Sequence, residues 1–354
     1  RLVESVVRPL GPSLVQIPDR KSNVAFLESF ASQMFARRGT YGWNTNWEGD
    51  AFLILRYAGL QPQVVYDETI QRDGLDGFRV LVMPACDVLP ESVVSAVQKF
   101  QEAGGIVVGD EFLCPAITPD ITLRSHVRPK AADRARQLNL EAAAGLTADL
   151  APHYRPYVTS STPNVVTRVR NYRSTDYLFA VNDLREFGDY VGHHGLVMEN
   201  GLPTDAQLTV SRPAAHVYDL VAHRKVDATS QDGRVTVTES FGPCEGRVFM
   251  LCNQAIAGVT IAAPASASPG DEVKLSISVV DGNGKPLEAI VPIHIRLLDP
   301  TGREAEFSGF YGAENGTVTI NAALAENDTP GLWRLQAREL ASGQSANAYL
   351  RLAP

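Results

Sequence analysis

Apolar and polar positions follow two different rhythms along this chain. Over residues 63–110, β-branched clusters bounded by turn residues predict strands at Gln63–Tyr66, 78–83 and 106–108. Between the last two, Val93, Val94, Val97 and Phe100 recur at helical spacing. They predict a helix over 90–103, opened by Pro90 and stopped by Gly104-Gly105. A strand that feeds a helix and then another strand is a parallel crossover, so this part of the chain reads as α/β. Residues 23–27 read as its first strand. Residues 47–59 read as a helix turning Phe52, Leu55 and Tyr57-Ala58 to the sheet, and 129–144 as an Ala-rich helix closed by Gly145.

From Tyr157 onward the runs become short and alternating. Strands are expected at 165–169, 177–181, 206–210, 217–221, 235–238 and 247–252, with Asn200-Gly201 and Asp232-Gly233 as hairpin turns. This is the pattern of an all-β sandwich of roughly a hundred residues. The small-residue stretch 262–270 reads as a linker. Beyond it, strands at 273–279, 291–297, 317–320, 332–337 and 346–352 and a turn at 281–284 predict a second, Ig-like sandwich. The expected organisation is a connector from an upstream domain (1–21), an α/β domain (22–150), a β-sandwich (157–262) and an Ig-like β-sandwich (263–354). The chain opens on Arg1 in mid-pattern, which reads as a piece of a longer protein.

Composition narrows the partners. A net charge of −8 without any Lys/Arg run argues against nucleic acid and anionic membranes. No apolar stretch approaches the roughly 18–20 residues of a membrane span, and no secretory signal is present. A parent with a signal peptide would be periplasmic, secreted or surface-bound, and one without it cytoplasmic. Cys86, Cys114, Cys244 and Cys252 lack Cys-x-x-Cys spacing, so neither a zinc site nor a disulfide framework is expected. They read as small buried hydrophobes. No cofactor is expected.

Four segments resemble the trimerisation domain of bacterial β-galactosidases, a glutamine-amidotransferase-like, flavodoxin-like α/β fold. They are Asn23-Val24-Ala25-Phe26-Leu27, Ala58-Gly59-Leu60-Gln61-Pro62-Gln63-Val64-Val65, Leu75-Asp76-Gly77-Phe78-Arg79-Val80-Leu81-Val82-Met83-Pro84, and Phe100-Gln101-Glu102-Ala103-Gly104-Gly105-Ile106-Val107-Val108. Val7-Arg8-Pro9-Leu10-Gly11-Pro12 looks like the connector after a catalytic barrel. Val217-Tyr218-Asp219-Leu220 and Gly246-Arg247-Val248-Phe249-Met250-Leu251 are similar to the closing sandwich of glycoside hydrolases. Pro269-Gly270-Asp271-Glu272-Val273 and Thr329-Pro330-Gly331-Leu332-Trp333 resemble a macroglobulin-type or bacterial Ig-like module. In such parents the barrel holds the catalytic carboxylates. This chain has no eightfold βα repeat, so the resemblance implies accessory domains, contacting copies of themselves and an upstream domain.

The chemistry is sparse. An amidotransferase needs a cysteine on a strained strand-to-helix elbow, with a histidine and a glutamate beside it. Cys86 lacks the flanking glycines, and the neighbouring Asp87 would disfavour its thiolate. Cys114 lacks an elbow too, and no histidine precedes His126. Asp110 and Glu111 end a parallel strand, where α/β sheets place ligands; they could hold a cation or sugar hydroxyl, or cap and solvate a loop. Trp43, Asn46, Trp47 and Glu48 crowd together before a helix. Aromatic faces and amides suit carbohydrate, and equally suit a structural loop with Asn46 as helix cap. His193-His194 would point to opposite faces of a strand and make a poor metal pair. Three readings stand: a non-catalytic assembly region of a larger glycoside-hydrolase-like protein, a surface array protein with Ig-like modules, and a small-molecule-binding or hydrolytic domain.

Overall fold

The computed structural model describes residues 2–36, 47–187 and 199–354. A wide π-type turn at Val3–Val7 leads into helix α1 (Arg8–Leu14), within the stretch expected as a connector. Pro9 is harmless in a first turn, whose N–H groups lack helical partners anyway. Pro12 lies deeper, so what holds α1 is its seat on the C-terminal sandwich. Leu10 and Ile17 are buried there, and the Ser13 hydroxyl donates to the Tyr311 carbonyl at 3.4 Å. A Cβ on Gly312 would meet Gln16 Nε2 at 2.5 Å and the Pro12 carbonyl at 2.9 Å, so glycine is what lets the helix approach. Just beyond, Asp19 pairs with Arg168 at 2.7 Å and Arg170 at 2.8 Å, tying the same segment to the middle sandwich.

The α/β unit runs β1 (Val24–Glu28), α2 (Phe30–Phe35), α3 (Trp47–Tyr57), β2 (Gln63–Tyr66), α4 (Asp67–Asp73), β3 (Val80–Met83), α5 (Glu91–Glu102), β4 (Ile106–Gly109), β5 (Ile121–Thr122) and α6 (Ala132–Leu150). Its five strands are all parallel, in the order β2-β1-β3-β4-β5. Strand side chains alternate, so each face feeds its own core. Val24, Phe26, Val80, Val82, Ile106 and Val108 pack with α3 and α6. Ala25, Leu27, Leu81, Met83 and Val107 pack with Ile70 of α4 and Val93, Val97 and Phe100 of α5. Helix α6 runs through Gly145, the expected stop, because Leu146 and Leu150 continue its buried stripe.

The middle unit comprises β6 (Val158–Ser160), β7 (Val165–Tyr172), β8 (Thr175–Asn182), β9 (Arg185–Phe187), β10 (Glu199–Gly201), β11 (Thr204–Val210), β12 (His216–Asp219), β13 (Arg224–Val226), β14 (Ala228–Gln231), β15 (Arg234–Phe241) and β16 (Gly246–Cys252). Two antiparallel sheets, β14-β15-β11-β6 and β13-β12-β16-β8-β7, enclose a Val- and Leu-rich core. Asp232 (φ 51°) and Gly233 (φ 71°) make the expected hairpin turn. Asn200-Gly201 does not: both residues lie in β10, paired with β9. The glycine serves a close approach, since a Cβ there would meet Cys244 Sγ at 2.6 Å.

The last unit comprises β17 (Gly258–Ala262), β18 (Ser266–Ala267), β19 (Glu272–Val280), β20 (Val291–Leu298), β21 (Gly309–Ala313), β22 (Thr317–Ala323), β23 (Gly331–Glu339) and β24 (Ser345–Leu352), in sheets β17-β19-β22 and β18-β24-β23-β20-β21. The stretch expected as a linker is built in. Strand β17 pairs with β19, and β18 runs parallel to β24. The two sandwiches also share one core, in which Tyr177, Tyr218, Met250 and Cys252 of the middle unit meet Leu287 and Ile290 of the last. Cys86 and Cys252 are buried as expected, whereas Cys114 is half-buried and Cys244 exposed. Among the described residues no helix is long and apolar enough to cross a membrane.

Candidate functional site

The order of the parallel sheet reverses between β1 and β3, and the ends of these strands form the crevice where such sheets receive ligands. Beyond β1, Ser29 caps α2: its hydroxyl accepts from the Ser32 N–H at 3.2 Å and donates to Asp67 Oδ2 at 3.0 Å. The Ser32 hydroxyl donates to the Val88 carbonyl at 2.6 Å, and Gln33 Nε2 donates to Glu28 Oε1 at 3.0 Å. Beyond β3, Ala85 turns the chain at φ 54°, a left-handed conformation that non-glycine residues seldom adopt.

Asp110, at the end of β4, holds that turn. Its Oδ2 accepts from the Ala85 N–H at 2.6 Å and from Trp47 Nε1 at 2.6 Å, and its Oδ1 accepts from the Phe112 N–H at 2.9 Å. Burial pushes the carboxyl above the usual carboxylate range; the three donors oppose this, and nearby Glu111 adds to it. Trp47 and Asp110 are therefore brought together, but they spend their polar atoms on each other, 1 % and 4 % exposed. Glu111 turns aside to the hydroxyl (2.5 Å) and N–H (3.0 Å) of Ser125. Burial raises its pKa, but these bonds and the Arg124 charge outweigh that and hold it low. Trp43, Asn46 and the His193-His194 pair lie outside the described residues.

Behind Trp47, a second polar cluster anchors the start of α3. Asp50 is buried and accepts from Arg128 Nε (3.0 Å) and Nη2 (2.6 Å) and from Asn139 Nδ2 (3.2 Å). The His126 ring stands edge-on to Trp47, with centroids 5.4 Å apart.

Between the β1 and β3 ends and α3 lies a cavity of about 270 Å³. Glu28, Gln33, Glu48, Phe52 and Ala85 line it, together with Val64 of β2. Of the candidate site residues that lie among the described residues, Glu48 alone lines it. Among the described lining residues it holds two carboxylates, an amide, two serine hydroxyls and two phenyl rings, and no cationic side chain. Such a lining can bind hydroxyl or amine groups. At the elbow Ala85 presents a methyl, and both serine hydroxyls already donate within the fold. Glu28, Ser29 and Gln33 were not found from sequence, and Phe52 was read only as packing on the sheet. The rule that ligands sit where strand order reverses would have reached them, but strand order is not written in local periodicity.

No family model and no curated protein matches the chain. Among solved structures it is similar to α-L-fucosidase isoenzyme 2 from Paenibacillus thiaminolyticus, at 12 % identity and a TM-score of 0.48, over 70 % of this chain and 50 % of that one. It is also similar to a β-galactosidase from Bacillus circulans sp. alkalophilus, at 10 % identity and a TM-score of 0.45, over 69 % and 43 %. A β-galactosidase from Rahnella sp. R3 follows at 12 % identity and a TM-score of 0.39, over 65 % and 41 %. These neighbours are glycoside hydrolases, and the chain spans half or less of the length of each.

Proposed function

We propose that this chain is a non-catalytic, assembly-forming accessory region of a larger glycoside-hydrolase-like protein, with the α/β unit making the contacts between copies. The sequence resemblance supplies the class of parent. The observation that carries the assembly role is the apolar edge of the parallel sheet. Among the described residues strand β2 is an edge strand, with one backbone side unpaired. Its Tyr66 is 48 % exposed, and Phe30, Met34 and Phe35 of the adjoining α2 are 54 %, 48 % and 74 % exposed. Scattered surface hydrophobes are ordinary, but large ones gathered on one edge mark an interaction surface. The methyl of Ala85 at the strand-end elbow supports the non-catalytic part of the reading.

Sedimentation of the full chain tests it. The expected result is a concentration-dependent oligomer that Met34→Asp/Phe35→Asp weakens at least about tenfold, the scale of an interface hot spot. Both side chains are exposed, so folding should survive, as circular dichroism would verify. A strict monomer at high concentration overturns the assembly reading.

The cavity favours a second reading, binding of a small polyol or amine. Ligand-observed NMR against a panel of monosaccharides, polyols and amines should then find a binder, weakened about tenfold by Glu48→Gln, the scale of one hydrogen bond to a charged group. No binder, or a binder indifferent to Glu48→Gln, refutes it.

A further inference from the structure

The outward face of the C-terminal sandwich carries a charge pattern that assembly through the α/β unit does not use. Strands β20, β23 and β24 lie side by side, so residues facing outward form rows across them. His294 stands beside Arg338 and Ser345; Arg296 beside Gln336 and Asn347; Arg334 beside Tyr349; and Leu332 beside Arg351. Alternation sends Trp333, Leu335 and Ala337 inward to the core and leaves Arg334, Arg338 and Arg351 exposed.

Arg296 is paired with Glu304 at 2.5 Å, the carboxylate that lines this face. Arg334, Arg338 and Arg351 have no carboxylate partner among the described residues, in a chain whose net charge is −8. From the Leu332 row to the Arg338 row the strip is roughly 20 Å long at the rise of an antiparallel strand. An amide ladder crosses its middle: Arg296 Nη1 donates to Gln336 Oε1 at 3.4 Å, and Gln336 Nε2 to Asn347 Oδ1 at 3.2 Å. Tyr349 stands 55 % exposed at one end. At the other, His294 and Phe310 stack 4.3 Å apart. A shallow cleft of about 470 Å³ runs over Arg296, Gln336, Arg338 and Asn347.

We infer that this face binds an anionic polysaccharide, one bearing sulfate or carboxylate groups along an extended chain. Guanidinium forks match the planar or tetrahedral oxygens of such groups, often two at a time. Amides serve the hydroxyls between them, and an exposed tyrosine offers a flat wall to a sugar ring. Three separated cations suit repeated charges better than a single small anion. The acidic remainder of the chain disfavours nucleic acid, whose dense charge would be repelled on either side of the strip. The inference goes beyond the assembly reading and does not rest on it.

Affinity electrophoresis of the full chain tests it, with dextran sulfate and polygalacturonate as probes, neutral dextran as control and polyglutamate as the peptide rival. The expected result is retardation by at least one anionic polysaccharide, weakening steeply with salt, and none by neutral dextran. Arg334→Gln/Arg338→Gln/Arg351→Gln should reduce it at least tenfold. Arg155→Gln/Arg234→Gln, which removes two exposed arginines from elsewhere, should leave it intact. Retention unchanged in the triple variant, no retention at low salt, or equal retention by polyglutamate overturns the inference. The oligomeric state, read on the same samples, is expected not to change, which keeps this outcome separate from the assembly test.

Discussion

Arg212→Met is expected to lower the stability of the middle sandwich by about 3–5 kcal/mol, the scale of leaving one partner of a buried ion pair alone. The Arg212 and Asp176 side chains are 7 % and 8 % exposed and meet at 2.8 Å. Neither has water to fall back on, so removing the guanidinium strands a carboxylate in the interior. The pair is also a hub. Arg212 donates to the carbonyls of Leu251 (2.9 Å), Ser174 (3.2 Å) and Ala214 (3.2 Å) and to Asn253 Oδ1 (2.6 Å). The Tyr157 hydroxyl donates to Asp176 at 2.8 Å; burial, with that carboxylate beside it, pushes the phenol up to about 12. An isolated buried pair can often be replaced by apolar residues without loss. A hub cannot, because the carbonyls stay behind unpaired at about 1–3 kcal/mol each. Arg212→Met/Asp176→Leu should therefore recover only part of the loss. Full recovery in urea unfolding would show that the carbonyl contacts contribute nothing.

This hub marks where local sequence stops being informative. Four of the five parallel strands were legible because each is a short apolar run between turn residues, and in β3 and β4 burial on both faces demands that composition; β5, two residues long, carries no such run. Helix α5 was legible because Val93, Val97 and Phe100 repeat at helical spacing. Helix α1 was not: two prolines and a glycine in seven residues contradict local propensity, and tertiary packing of Leu10 and Ile17 overrides it. Strand β18 is two small residues held by pairing with β24, without any apolar alternation to betray it. The site divides in the same way. Trp47 and Asp110 stood out as residue types, but their partnership spans 63 positions, and only the fold shows that they satisfy each other. Glu28 and Gln33 form their cavity wall because β1 lies beside the point where strand order reverses, which no local window contains.

The expected behaviour of the two sandwiches on heating follows from the same kind of long-range contact. If they were spacers on a linker, each would melt by itself. Tyr177 instead crosses between them: fully buried on β8, it donates to the Ile290 carbonyl at 2.9 Å and accepts from the Ile290 N–H at 2.7 Å. Burial pushes its phenol far above the ordinary range, so the hydroxyl keeps its proton and both bonds at any working pH. Thr175 Oγ1 donates to the Glu288 carbonyl at 2.9 Å, and Tyr218 Oη accepts from the Ile256 N–H at 2.8 Å along the same seam. Tyr177→Ala empties a ring-sized volume and orphans both polar groups of Ile290, a loss of about 3–5 kcal/mol on the scale of aromatic truncations. Tyr177→Phe keeps the volume and loses about 1–3 kcal/mol through the unpaired backbone groups. Calorimetry of the full chain should show the sandwiches melting together, and Tyr177→Ala should lower that transition or split it in two. Two separate sandwich transitions in the unaltered chain, with the C-terminal one indifferent to Tyr177→Ala, would mean that the shared core does not couple them.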